Sequence, residues 1–229
     1  MTPLIGQYYS AVDLGQSDLQ VAIAIQEKAM ASRQSETIGD TLILVEPSSG
    51  SFTCGASTTP DQLIHEREWY ADRGFDLFDV KRGGGSTHNA EGQINGWFVS
   101  KVSNLRNHVM LLERVFVAAL AENGVRARSR IDEGNEFVGV WVEDKKIANF
   151  GTHTTGSVTS TWFALNVSMD LEPWLFIVPC GLQAAVTSVE ESGSGAGVEL
   201  IKQSLINAWG AGVGSQPEII SRPDFDARI

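Results

Sequence analysis

The chain has few cysteines, little positive charge and no long apolar runs. Only two cysteines occur in its 229 residues, Cys54 and Cys180. Two scattered cysteines make no disulfide framework, so a small disulfide-stapled fold is excluded. A reducing, cytoplasmic setting is expected, where a cysteine serves either packing or chemistry. Lys and Arg number 17 against 28 Asp and Glu, for a formal charge of −11. Non-specific nucleic-acid binding needs a basic face, so no nucleic-acid partner is expected. No apolar run approaches the roughly 20 residues that span a bilayer. The opening "MTPLIGQYYSAVDLG" lacks the basic-then-apolar order of a signal peptide, so no membrane partner is expected either. The histidines, His65, His88, His108 and His153, stand apart from one another and from the cysteines, so no metal site is expected.

What is present is an ordinary globular composition, 42% apolar, with no internal repeat and no long linker. One flexible stretch, "EESGSGAG" at 190–197, reads as a loop. Segment 19–34 reads as a helix, 41–46 as a buried strand, 75–80 and 94–100 as strands. The clearest helix is 104–124, with Leu105, Val109, Leu112, Phe116 and Leu120 at three- and four-residue spacing and Gly124 as its C-cap. Strands follow at 137–143, 145–151 and 162–167, and a helix at 198–210. Strands outnumber the helices between them, which predicts not regular α/β alternation but one α+β domain over 1–229, a mixed β-sheet flanked by helices.

Three stretches could carry chemistry. "RGGGSTHN", Arg82 to Asn89, contains three successive glycines that let backbone approach a ligand, or that simply make a tight strand connection. It lacks the Gly-Lys-Ser/Thr ending of a phosphate-binding loop. "DKKIANFG" carries Lys145 and Lys146; Asp144–Lys145 looks like a solvated turn, while Lys146 begins the strand and can point into the sheet. "IVPCG", 177–181, holds Cys180 between Pro179 and Gly181. A thiol there is inert packing unless a nearby base or cation lowers its pKa.

Taken in order, "RGGGST", "GVWVEDKKIANFG", "FALNVSMDL" and "IVPCG" followed by "VTS" resemble the octanoyltransferases of lipoate synthesis, also called lipoate–protein ligase B, within the biotin and lipoate ligase superfamily. The resemblance runs over nearly the whole chain, and "DTLILVEPSSG" is similar to the family's early strand and loop. It implies the biotin/lipoate ligase catalytic-domain fold. It also implies transfer of an octanoyl group from acyl carrier protein, through a cysteine thioester, to a lysine of a lipoyl domain. The acceptors would be 2-oxoacid dehydrogenases and the glycine cleavage H protein. Carried over by position, Cys180 is the nucleophile and Lys146 its partner. Arg82, Gly83, Gly84, Gly85, Ser86, Thr87, His88 and Asn89 line the site. Asn149, Phe150 and Gly151 form a second wall, and Trp162, Phe163 and Ala164 a third. No cofactor and no metal are implied, and a monomer is expected. As an ammonium, Lys146 would stabilise the Cys180 thiolate; as an amine it would take the proton of the incoming lysine, a role that an apolar pocket favours by lowering a lysine pKa.

Several positions depart from the family pattern. Asn89 stands where the family has His, and His88 lies one position early, which in extended chain points its side chain to the opposite face. Thr161–Trp162 replace a His-Gly pair, so a large ring is expected on the acyl channel's wall. Ala56 stands where the early loop has a basic residue. Two rivals therefore stand beside the acyltransferase: a non-catalytic paralogue that binds acyl groups or lipoyl and carrier domains, and an ATP-using ligase with no essential cysteine. Cys54 reads as core or loop packing, His65 as a surface helix residue, His108 as structural or surface, and His153 as a residue beside the second wall. Arg126, Arg128 and Arg130 are a candidate basic docking patch.

Overall fold

The computed structural model describes residues 9–178 and 185–229. Eleven strands and five α-helices are defined among them. In chain order these are β1 Tyr9–Ser17, α1 Leu19–Gln34, β2 Asp40–Pro47, β3 Ser51–Cys54, α2 Arg67–Ala71, β4 Asp76–Asp79, β5 Ser86–Asn89, β6 Gln93–Lys101, α3 Leu105–Glu122, β7 Arg128–Ser129, β8 Val140–Val142, β9 Lys145–Thr155, β10 Val158–Asn166, α4 Val198–Val213, β11 Glu218–Ile219 and α5 Arg222–Asp226. Eight strands form one mixed sheet in the order β11-β1-β2-β6-β10-β9-β8-β7, and three form a small sheet, β4-β3-β5. In the large sheet β1 runs parallel to β2 and β11, while β2, β6, β10, β9, β8 and β7 pair antiparallel in succession. This is the mixed, helix-flanked α+β arrangement expected of the sequence. No helix among the described residues is long and apolar enough to cross a membrane.

The continuous apolar run of β2 reflects burial on both faces. Leu42 and Leu44 join Ile94, Phe98, Phe163 and Leu165 under α3 and α4. Ile43 and Val45 join Trp97, Val99 and Trp162 under α1. Asp18 starts α1 by accepting from the backbone N–H groups of Gln20 and Val21, and Asn104 starts α3 by accepting from that of Asn107. Leu105, in the first turn of α3, is exposed and departs from the buried stripe that its spacing suggests. A third cluster, with Phe52, Tyr70, Trp174 and Ile177, supports the small sheet.

Several elements are absent from the sequence reading. Strand β1 is broken by a register shift between Asp13 and Gln16, with Gly15 at φ +68°. The early loop that leads to Ala56 contains β3, whose Cys54 is buried and has its thiol pKa raised by desolvation. The strand expected at 137–143 is confined to β8, because Asn135–Phe137 winds into a 3-10 turn. His65 lies before α2 and stacks on Trp69 at 3.7 Å between ring centres, so it is not a helix residue.

Candidate active site

The glycine loop between β4 and β5 lies across the seam of the two sheets. Gly83 N–H donates to Thr152 O of β9 at 2.8 Å, and Ala56 N–H donates to Arg82 O at 2.8 Å. Glycine is required where this loop meets β9: a Cβ on Gly151 would stand 2.6 Å from Gly83 O. Arg82 is buried and staples the loop from within. Its guanidinium donates to Gly83 O, Gly85 O, Thr53 O, Thr53 Oγ1 and Thr87 Oγ1 at 2.8–3.2 Å, and it lies 5.5 Å from the Trp162 ring. Its position is set by polar oxygens on one side and an aromatic face on the other.

Opposite the loop, β9 opens with Lys145 exposed and Lys146 buried, the two side chains leaving opposite faces of the strand, and burial then continues through Asn149. The Lys146 ammonium donates to Val138 O at 3.1 Å and lies 4.8 Å from the centre of the Trp141 ring. Its backbone is bracketed by a strap: Lys146 N–H donates to Ala185 O at 2.9 Å and Thr187 N–H donates to Lys146 O at 3.0 Å. Behind Lys146, Glu113 of α3 is fully buried. It accepts from Gly139 N–H at 2.8 Å and from the Ser129 hydroxyl. Burial raises its carboxyl pKa, while those two hydrogen bonds and the nearby Lys146 charge act the other way.

Between the loop and β9 opens a cavity of about 640 Å³. Gly83, Gly84, Gly85, Lys146 and Asn149 supply its polar wall, and Leu105, Val109, Ile131, Val138 and Phe150 its apolar wall. Asn149 is only 6% exposed, and neither its carboxamide oxygen nor its nitrogen has a partner among the described residues. A second void, where Arg82, Thr87, Asn149, Gly151, Trp162 and Ala164 meet, holds only about 20 Å³. Trp162 occupies that space, with Nε1 donating to Asn95 Oδ1 at 3.0 Å and its ring 5.1 Å from Trp97.

The structure thus brings together Arg82, the three glycines, Lys146, Asn149, Phe150 and Gly151. Thr87 borders the smaller void, as do Trp162, Phe163 and Ala164. Phe163 otherwise packs in the core against Phe98 and Phe116. Ser86 and Asn89 are buried in β5, with Ser86 N–H donating to Gln62 Oε1 and Asn89 Nδ2 donating to Thr53 Oγ1. His88 does not line the cavity. The strand turns it to the opposite face from Thr87, into the small sheet's aromatic core beside Phe52 and Trp174. Burial lowers its pKa to about 4.

His108 approaches Thr161 Oγ1 at 3.2 Å on the packed side of α3, and burial lowers its pKa. His153 instead pairs with Thr155 Oγ1. Two members of the candidate basic patch face acids: Arg128 bonds Glu133, and Arg130 bonds Glu133 and Asp144. Cys180 lies outside the described residues. Glu113 escaped the sequence reading, although an acid four residues after Val109 and three before Phe116 on an apolar stripe is a usable signal.

The fold has counterparts among solved structures, and the family follows from the sequence. A bipartite lipoate protein ligase from Thermoplasma acidophilum superposes with a TM-score of 0.75 over 96% of this chain and 90% of its own, at 13% identity. The lipoyl protein ligase A/B catalytic domain matches residues 18–210. Within that class the nearer relatives are octanoyltransferases. That of Dictyoglomus thermophilum is 37% identical over 72% of this chain and 69% of its own length, and that of Solibacter usitatus 35% identical over 79% and 81%. The chain belongs to the octanoyltransferase family, and is an acyltransferase of the lipoate/biotin ligase superfamily.

Proposed function

We propose that the protein acts as one catalytic domain that moves an octanoyl group through a thioester on Cys180 to a lysine of a lipoyl domain. The Cys180 thiolate attacks the octanoyl thioester of acyl carrier protein, forming acyl-cysteine and expelling the carrier thiolate, which takes a proton from the Lys146 ammonium and leaves Lys146 as the free amine. The acceptor amine then attacks the acyl-cysteine, forming the amide and releasing the thiolate. Lys146 serves as the cation for the thiolate and as the proton acceptor for the amine. The donor is already activated as a thioester, so the chemistry needs no nucleotide. Lipoyl-domain acceptors follow from the family, and an E2 lipoyl domain is the partner of the archaeal ligase. The lipoyl domains of 2-oxoacid dehydrogenases and the glycine cleavage H protein are the expected acceptors. The protein would act as a monomer in the cytoplasm.

The observation that carries this reading is the way the chain enters and leaves the segment around Cys180. Val178 N–H donates to the backbone of Gln62, a residue of the cavity wall, and the chain returns at Ala185 against Lys146. Each end of the segment that holds Cys180 is therefore tied to a residue that lines the cavity, Gln62 at one end and Lys146 at the other. With Trp162 filling the smaller void, the acyl chain would lie along Leu105, Val109, Ile131, Val138 and Phe150.

Intact-mass spectrometry of the protein incubated with octanoyl carrier protein tests the reading. One octanoyl adduct is expected on the parent and no thioester on Cys180→Ser. Lys146→Met should slow transfer to a lipoyl domain while remaining folded. An unmodified parent, or an adduct that persists as a thioester in Cys180→Ser, would overturn it.

A further inference from the structure

Gly139 N–H and Val138 C=O belong to the same peptide group. Glu113 accepts from that N–H at 2.8 Å, and the Lys146 ammonium donates to that carbonyl at 3.1 Å. We propose that Glu113 is the positioning residue of Lys146, acting through the Val138–Gly139 peptide. The proposal rests on the role given to Lys146 above.

The peptide is polarised in the same sense from both ends. A carboxylate at its N–H pushes electron density onto its carbonyl oxygen, which strengthens that oxygen as acceptor for the ammonium. Both charged ends are buried, Glu113 at 0% and Lys146 at 6% exposure, so little solvent screens them. Gly139 is fixed in this geometry for two independent reasons. Its φ of +136° is one that L side chains rarely adopt, and a Cβ would lie 2.6 Å from Ala148 O and 3.3 Å from Lys146 Cε. Ser129 holds the other carboxylate oxygen from β7. A glutamine oxygen could also accept from Gly139 N–H, but only a carboxylate accepts from both Gly139 N–H and the Ser129 hydroxyl while carrying a charge. The fold buries an acid on the apolar stripe of α3, on the far side of one peptide from the reactive lysine.

Other charged groups surround the pair. Arg106 of α3 and Glu136 of the following segment line the cavity with Lys146, Asp132 lies near Glu113, and Arg82 sits across in the glycine loop. Among the described residues, the two hydrogen bonds that reach the Val138–Gly139 peptide from charged side chains are those of Glu113 and Lys146. The Glu113 charge therefore favours the ammonium form of Lys146. Removing it lets Lys146 lose its proton at lower pH.

The test is Glu113→Gln in the full chain, which retains an acceptor for Gly139 N–H and loses the charge. Titration of the Lys146 Cε resonance by NMR should show its pKa lower by about one unit, roughly tenfold in ionisation constant. The alkaline side of the pH profile of octanoyl transfer should move down with it, while KM for the carrier stays unchanged. Ser129→Ala, which removes the second donor to the carboxylate, should shift Lys146 in the same direction by less. A Lys146 titration and a pH profile unchanged in a folded Glu113→Gln would overturn the proposal, leaving Glu113 a structural tie. If Glu113→Gln does not fold, an unmoved Lys146 in Ser129→Ala would overturn it. Loss of transfer in Lys146→Met beside an unaltered Glu113→Gln would sink only this inference; full transfer in Lys146→Met would sink the reading on which it rests.

Discussion

Replacing His88 by Asn should remove most of the acid sensitivity that this one side chain contributes to folding. In the folded protein the ring is buried against Phe52 at 4.8 Å, with Nδ1 donating to Ser51 O at 3.1 Å in its neutral form. Desolvation lowers its pKa from 6.5 to about 4. A base whose folded pKa is depressed contributes stability that is fully present above its unfolded pKa. That stability is lost as pH falls from about 6.5 toward about 4. A depression of this size is worth about 3 kcal/mol between pH 7 and pH 4. For a chain of this length it corresponds to roughly 6–12 °C in Tm. The substituted asparagine would keep a donor near Ser51 O and have nothing to titrate, at the cost of the ring's packing at every pH. Urea unfolding at pH 7, 6, 5 and 4 measures the outcome. The parent should lose about 3 kcal/mol more than His88→Asn over that range. Parallel stability curves would refute a neutral, buried His88. A parent pH profile of transfer retained in the variant would agree with its place outside the cavity.

Gly139→Ala should destabilise the fold by about 1–3 kcal/mol, because the residue is strained and its Cβ meets Ala148 O; thermal unfolding reads the loss. It should also reduce transfer beyond the fraction unfolded, since Val138 O would no longer be set for Lys146. Trp162→Ala should cost about 3–5 kcal/mol and enlarge the void beside Arg82 and Asn149, measured as a lower urea midpoint. The same variant should accept decanoyl and dodecanoyl donors better relative to octanoyl than the parent does, and an unchanged chain-length series would count against Trp162 as the stop. Asp40→Asn should cost about 3 kcal/mol by urea unfolding, because it leaves the Arg33 guanidinium, 3% exposed and 2.7 Å from Asp40 in the parent, buried without its anion.

The sequence discloses those elements whose signal is local. β2 and β6 and helices α3 and α4 carry apolar patterns of their own and fall where those patterns place them; α1 is legible from its helix-favouring Ala, Gln and Lys, and β10 starts at Val158, four residues before the strand expected at 162–167. β1 is hidden because Asp13 and Gly15 interrupt it, and β3 because two of its four buried residues, Ser51 and Thr53, are polar. β11 pairs over only two residues, too short for any pattern. The glycine loop and Lys146 are legible as motifs, and the parity of an extended strand foretells that His88 and Thr87 part. What the fold alone supplies is the meeting of distant residues. Glu113 and Lys146 are 33 positions apart and communicate through a peptide that belongs to neither, and the acids that face Arg128 and Arg130 turn a basic run into a set of ion pairs.

The strap beside Lys146 protects two backbone amides together. Lys146 N–H is held by Ala185 O and Thr187 N–H by Lys146 O, and Asn166 Nδ2 donates to Thr187 O at 2.9 Å from the neighbouring strand. Lifting the strap uncovers the Lys146 and Thr187 amides in one opening event, so both should trade hydrogen for deuterium at a common rate. The Lys146 amide is therefore a built-in clock for the departure of residues 185–187 from β9.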